Sequence, residues 1–207
     1  MKMLIAVLLA CLMGIGALYA QTDGFSVLTT EAARRADIQR HPRPVPDAAL
    51  AFADGDHTEL LQSLRDDGRV TIVNFMYTRC FSICLAMGSE LQQLQAELQS
   101  TGLDDRVRLL SLSFDPADTP DYLARYQSSQ HADPQIWSFA TLTDSAQRKA
   151  ALKAFGIIVV PAPLGQFEHN AAYHVVTPDG RLVQIVDIGT TDTLLNWLER
   201  YFNERGS

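Results

Sequence analysis

Cys80 and Cys84, with three residues between them, are the side chains of this sequence best suited to chemistry. They lie where a β-branched and aromatic run, Val70 to Tyr77 (VTIVNFMY), gives way to a helical stripe. If the first turn is helical, positions four apart share a face and both sulfurs converge. A helix N-terminus presents free amides and a partial positive charge, which favours the thiolate, the form that attacks disulfides and ligates metals. Two thiolates suit Cu(I) or zinc, and an added imidazole extends the set to Cu(II). The same pair serves a thiol-disulfide oxidoreductase, in which one sulfur attacks a partner disulfide and the other resolves it, although C-x-x-x-C is one residue longer than the usual redox spacing. A permanent staple is the third reading. So short a loop would restrain the unfolded chain by roughly 2 kcal/mol, against about 3 for a fifteen-residue loop.

An imidazole must come from elsewhere in the chain. His41 falls in a proline-rich segment and His57 in a polar turn, where solvated surface residues are the ordinary case. His131 follows a helix end, where a cation meets the last carbonyls. His174 sits inside a strand-like run between Tyr173 and Val175, which favours packing over ligation. His169 follows a loop, Pro161 to Phe167, that must carry the chain to the sheet edge before a hairpin, so position alone leaves it a candidate.

Elements that would position these residues follow from pattern. Val70–Tyr77 and Val107–Phe114 read as strands buried on both faces. Between them Met87, Leu91, Leu94 and Leu98 form one helical stripe over about residues 84–99. Thr119-Pro120-Asp121 reads as an N-cap, a first-turn proline and an acidic first turn, and Trp137–Leu142 as a further strand. Asp144 to Phe155 reads as a helix stopped by Gly156. Residues 171–177 and 181–187 flank Pro178-Asp179-Gly180, a strong hairpin signal, and Leu194, Leu198 and Phe202 mark a closing helix. The order β-α-β-α-β-α-β-β-α predicts an α/β sandwich.

The chain of 207 residues is 47% hydrophobic with a formal net charge of −7, which suits one sizeable core and lacks the basic footprint of a nucleic-acid binder. Lys2, the apolar run Leu4 to Leu18 and the small residue Ala20 read as a secretory signal over residues 1–20, or as an uncleaved N-terminal anchor. Cys11 belongs to that run; Leu8-Leu9-Ala10-Cys11 also resembles a lipoprotein box, but its apolar stretch is short. Either address exports the domain, to the periplasm or the outer face of the inner membrane, where thiols are easily oxidised. Contact with a membrane is expected only through an uncleaved segment. Residues 21–43 read as a polar tether ahead of a domain over residues 44–207, with Pro42, Pro44 and Pro46 enforcing extended chain.

The stretch Asn74-Phe75-Met76-Tyr77-Thr78-Arg79-Cys80-Phe81-Ser82-Ile83-Cys84 resembles the SCO/SenC copper chaperones, whose T-x-C-P-x-x-C-P motif opens the first helix of a thioredoxin-like domain. Ser113-Phe114-Asp115-Pro116 with Asp118-Thr119-Pro120 is similar to the family's S-x-D-P-x-x-D-T-P segment, one residue shorter. Trp137, Leu142-Thr143 and Phe155-Gly156 resemble a third block, and His169 precedes Pro178-Asp179-Gly180 at the spacing of the family's copper-binding histidine. Both motif prolines are replaced here, by Phe81 and Leu85, which leaves the sulfur geometry less constrained. The resemblance, over roughly residues 44–203, implies a thioredoxin-like sandwich: a central mixed sheet flanked by helices, with a C-terminal hairpin and helix. It implies copper held by Cys80, Cys84 and His169, with Asp115 beside them to orient the histidine or bias thiolate ionisation. It also implies the task of delivering Cu(I) or Cu(II) to an acceptor, the dinuclear copper centre of a respiratory oxidase. The alternative remains an exported thiol-disulfide oxidoreductase that uses the Cys80/Cys84 pair, a role that joins the first if its substrate is the oxidised cysteine pair of a copper acceptor.

Overall fold

Val70–Met76 and Val107–Ser113 are buried at every position, the pattern of strands covered on both faces. A computed structural model gives the fold around them and describes residues 13–14, 30–80 and 83–205, without the side chains of 30 and 83–86. It divides into two units, Met1–Pro42 and Arg43–Ser207. In the first unit, α1 (Thr30–Arg40) occupies part of the segment expected to be a tether. Glu31 bonds both Arg34 and Arg35 there, and the Arg34 hydrogen bond, opposed by desolvation, helps to hold its carboxyl down at about 2. The address expected over residues 1–20 lies outside the described residues apart from Met13 and Gly14. Among the described residues no helix is long and apolar enough to cross a membrane.

The second unit is an α/β fold on one mixed sheet. Its elements are β1 (Arg43–Pro44), β2 (Ala49–Phe52), β3 (His57–Glu59), α2 (Leu60–Asp67), β4 (Val70–Met76), α3 (Ile83–Thr101), β5 (Val107–Ser113) and α4 (Pro120–Ser129). They continue as β6 (Trp137–Leu142), α5 (Ser145–Phe155), β7 (Val159–Ala162), β8 (Gln166–His169), β9 (Ala172–Val176), β10 (Arg181–Asp187) and α6 (Thr191–Arg205). The strand order is β1-β10-β9-β4-β5-β6-β2-β3, with β4, β5 and β6 parallel and their other neighbours antiparallel. This is the thioredoxin-like mixed sheet flanked by helices.

Local chemistry sets the boundaries as the sequence predicts. Asp144 accepts hydrogen bonds from the amides of Ala146 and Gln147, and Thr119 accepts from Tyr122 N–H ahead of Pro120. Each such cap contributes about 1 kcal/mol. Met87, Leu91, Leu94 and Leu98 are all buried, so the stripe seats α3 on the sheet, each side chain contributing about 1.5–3 kcal/mol. A buried polar relay adds direction: Trp137 Nε1 donates to Ser111 Oγ (2.9 Å), which donates to Asn74 Oδ1 (2.7 Å). The Asn74 amide in turn points to Met87 Sδ at 3.9 Å, locking β6, β5, β4 and α3 into one register.

Three expectations change. Residues before Val70 contribute β1, β2, β3 and α2, none of which pattern revealed, and His57 lies on exposed edge strand β3 instead of in a turn. Helix α3 runs two residues beyond the expected end. The Pro161–Phe167 loop is instead a two-stranded ribbon, β7–β8, pairing Val159 with His169 and Ala162 with Gln166. At its tip Leu164 adopts a left-handed backbone, φ 62° and ψ 26°, a conformation that costs a leucine about 1–2 kcal/mol.

Candidate metal centre

Strand β4 delivers the chain to Thr78-Arg79-Cys80, and each of these residues is fastened. Asp118, 3% exposed, accepts from the Thr78 amide (2.8 Å), the Thr78 hydroxyl (2.5 Å) and the Ser113 hydroxyl (2.6 Å). Asp115, 2% exposed, accepts from Arg79 Nη2 at 2.7 Å and from Ala117 N–H at 2.9 Å. That carboxylate raises the Arg79 pKa through its hydrogen bond. Cys80 is buried, its amide donating to the Tyr77 carbonyl at 3.4 Å. The turn after β5, Ser113 to Asp118, thus works as a clasp on the cysteine-bearing turn after β4.

The β7–β8 ribbon is fastened to the same turn from the other side. Tyr77 Oη accepts from Phe167 N–H at 3.1 Å and stands 3.1 Å from both Gln166 Oε1 and the Phe167 carbonyl, either of which takes its proton. The rings of Tyr77, Phe114 and Phe167 cluster with centroids 5.3–5.7 Å apart: Tyr77–Phe167 is 5.3 Å, Tyr77–Phe114 5.5 Å and Phe114–Phe167 5.7 Å. Tilted contacts of this kind add about 0.5–1.5 kcal/mol per pair beyond their buried area. His169 joins the cluster, 5.0 Å from Phe114 and 6.1 Å from Tyr77. Asn170 closes the ribbon's base, accepting from Ile158 N–H and donating to the Gly156 carbonyl.

The surroundings of the imidazole fix its tautomer. His169 Nδ1 lies 3.0 Å from the Asn170 carbonyl, which can only accept, so Nδ1 carries the proton. Nε2 is left with its lone pair, buried and without a hydrogen-bond partner among the described residues. A buried lone pair of this kind fits a metal ligand. Burial pushes the His169 pKa below the usual imidazole value, and the Asn170 hydrogen bond offsets part of that. As pH falls past about 6.5 the unfolded chain protonates first, so this residue's contribution to stability, complete above that pH, is lost on the way down to the folded pKa. NMR titration of the His169 Cε1 proton is expected to give a midpoint below about 6.5; a midpoint above it contradicts the geometry.

Of the other sequence-stated candidates, His174 is buried between the Val73 and Phe155 carbonyls and packs on Phe75 and Phe155. His131 terminates α4 with φ 50°, and His41 pairs with Asp37 on the surface. Of the two roles expected for Asp115, orienting the imidazole falls to the Asn170 carbonyl, and the Asp115 carboxylate is bonded to Arg79, one residue before Cys80. Asp118 is the residue that reasoning from sequence left without a role, although it stands in the Asp118-Thr119-Pro120 block. The Cys84 side chain lies outside the described residues, and among those described no three His, Cys, Asp or Glu side chains cluster as a metal site. Its backbone is in the first turn of α3.

Comparisons with known proteins agree with this architecture. A profile of the SCO1/SenC family matches residues 51–202. The SCO1 protein homolog of Bacillus subtilis strain 168 is 32% identical over 134 residues, 63% of this chain and 67% of that protein. The structure of Bradyrhizobium japonicum ScoI with copper bound aligns with a TM-score of 0.62 and 25% identity, covering 77% of this chain and 99% of that one. BsSco, described as a member of the Sco family of cytochrome c oxidase assembly proteins, aligns with a TM-score of 0.64 and 26% identity over 77% of this chain and 93% of its own. With nearly three-quarters of its length matched, and with the β4–α3 turn and the His169 ribbon both inside the match, the chain belongs to the SCO1/SenC family.

Proposed function

We propose that this chain carries one copper ion on Cys80, Cys84 and His169 and passes it to an acceptor during assembly of the dinuclear copper centre of a respiratory oxidase. The observation that carries the reading is His169 Nε2, a neutral, buried lone pair with its tautomer fixed by Asn170. Two thiolates give the soft donors Cu(I) prefers, and the imidazole broadens the set to Cu(II). Copper is cargo here, so a small ligand set on two chain turns suits exchange with a partner. Copper bound to ScoI of Bradyrhizobium japonicum and the assembly role described for BsSco support the assignment. Exported placement, in the periplasm or anchored on the outer face of the inner membrane, follows from reading residues 1–20 as the address. The oxidoreductase alternative uses the same sulfurs but gives the His169 lone pair nothing to do.

The test is an anaerobic Cu(I) and aerobic Cu(II) titration of residues 21–207. His169→Ala is expected to weaken Cu(II) binding by at least about tenfold while Cu(I) still binds with one equivalent. Disulfide exchange that survives this substitution, with no saturable copper binding by the reduced protein, would establish the oxidoreductase instead.

A further inference from the structure

Three of the five large apolar side chains exposed among the described residues lie on the β7–β8 ribbon or next to its first residue: Ile158 (67% exposed), just before β7, Val160 (51%) and Leu164 (97%). Leu164 carries two unfavourable features at once. Its backbone is in the left-handed region that suits glycine or asparagine, and its side chain is almost wholly in water. The ribbon is also placed at the ligands: a Cβ on Gly165 would stand 4.0 Å from Arg79 Nη1, one residue from Cys80, while β8 ends on His169.

We propose that this ribbon is the docking edge for the protein that exchanges copper with the site, with Leu164 as the apolar knob that enters a hollow beside that protein's own copper ligands. The inference rests on the copper-transfer reading above and adds the surface and kind of partner. A protein that takes copper from Cys80 and His169 comes up against the ribbon, because the ribbon's tip borders one ligand's turn and its end supplies the other. Charge favours a protein over a bilayer. Residues 157–169 include no lysine or arginine, Glu168 is their sole acidic residue, and the one guanidinium beside the tip, Arg79, is paired with Asp115, so the ribbon lacks the basic cluster that draws a protein to anionic lipid. Burying an apolar knob at the centre of a small, transient interface is how such contacts gain affinity.

The probe is the metal-free, reduced copper domain of the oxidase subunit from the same organism, titrated calorimetrically against this protein without copper. Leu164→Asn, which keeps the left-handed turn and removes the knob, is expected to weaken association by at least about tenfold, with Tm equal or higher. Leu164→Met, which keeps the apolar reach, is expected to bind within about twofold of the parent. Unchanged association of Leu164→Asn overturns the proposal. So does a parent protein that does not bind the domain, whether its Leu164-dependent partner proves to be a second copy in sedimentation or vesicles containing anionic lipid. Failure of the copper reading is separate, since it shows as loss of the Cu(I) equivalent in parent and variants alike.

Discussion

Cys80→Ser is expected to lower Cu(I) affinity by at least about a thousandfold, measured anaerobically against a competing chromophoric chelator. A serine hydroxyl is a hard, un-ionised donor at neutral pH, and one remaining sulfur with one imidazole is a poor site for a soft ion. The change should leave the fold intact. Cys80 is buried, and serine there adds one hydroxyl, at a cost of about 1 kcal/mol if it finds a backbone acceptor. Far-ultraviolet dichroism and Tm therefore separate loss of ligation from loss of structure. Retention of tight one-equivalent Cu(I) binding by this variant would falsify the assignment of Cys80 as a ligand.

Asp118→Ala is expected to be the most damaging substitution outside the proposed ligand set. It removes a buried carboxylate that accepts three hydrogen bonds and strands the Thr78 amide, whose partner lies 40 residues away in sequence. A hydrogen bond to a charged group contributes about 1.5–3 kcal/mol, and the two hydroxyls can partly re-aim, so a loss of about 3 kcal/mol is anticipated. For a chain of this size that lowers Tm by roughly 6–12 °C. Because Thr78 stands two residues before Cys80, Cu(I) affinity should fall as well, by about tenfold. Asp118→Asn retains one acceptor oxygen and should fall between the parent and Asp118→Ala in both measurements. If Asp118→Ala melts with the parent, the clasp between the two turns does not hold the cysteine in place.

The parts of the fold legible in the sequence were those with a strong period or a strong stop. β4 and β5 are uninterrupted apolar runs, α3 has an unbroken stripe, and the Asp144 and Thr119 caps and the Gly180 turn behave as their residue types require. The ribbon was illegible for a physical reason. It is only partly buried, so Val159–Ala162 and Gln166–His169 carry no alternation, and Pro161 reads as a breaker although a two-stranded ribbon tolerates it at an unpaired edge. The two cysteines and His169 stood out by residue type and by resemblance. Asp118 did not, because an aspartate before Thr-Pro looks like any helix entry until the Thr78 turn is folded against it.

The Tyr77 hydroxyl that grips Phe167 joins residues 90 positions apart. Its consequence concerns the order of events in folding. Strand β9 pairs with β4 across a similar span, so the His169 ribbon cannot meet the cysteine turn until a very long loop has closed, and loop closure of that length is among the later steps of assembly. A nascent or half-folded chain therefore exposes its cysteines without a histidine opposite them. On the proposed ligand set, complete ligation would certify completed folding, and a copper ion caught early by the sulfurs alone would sit in a site that can still let it go.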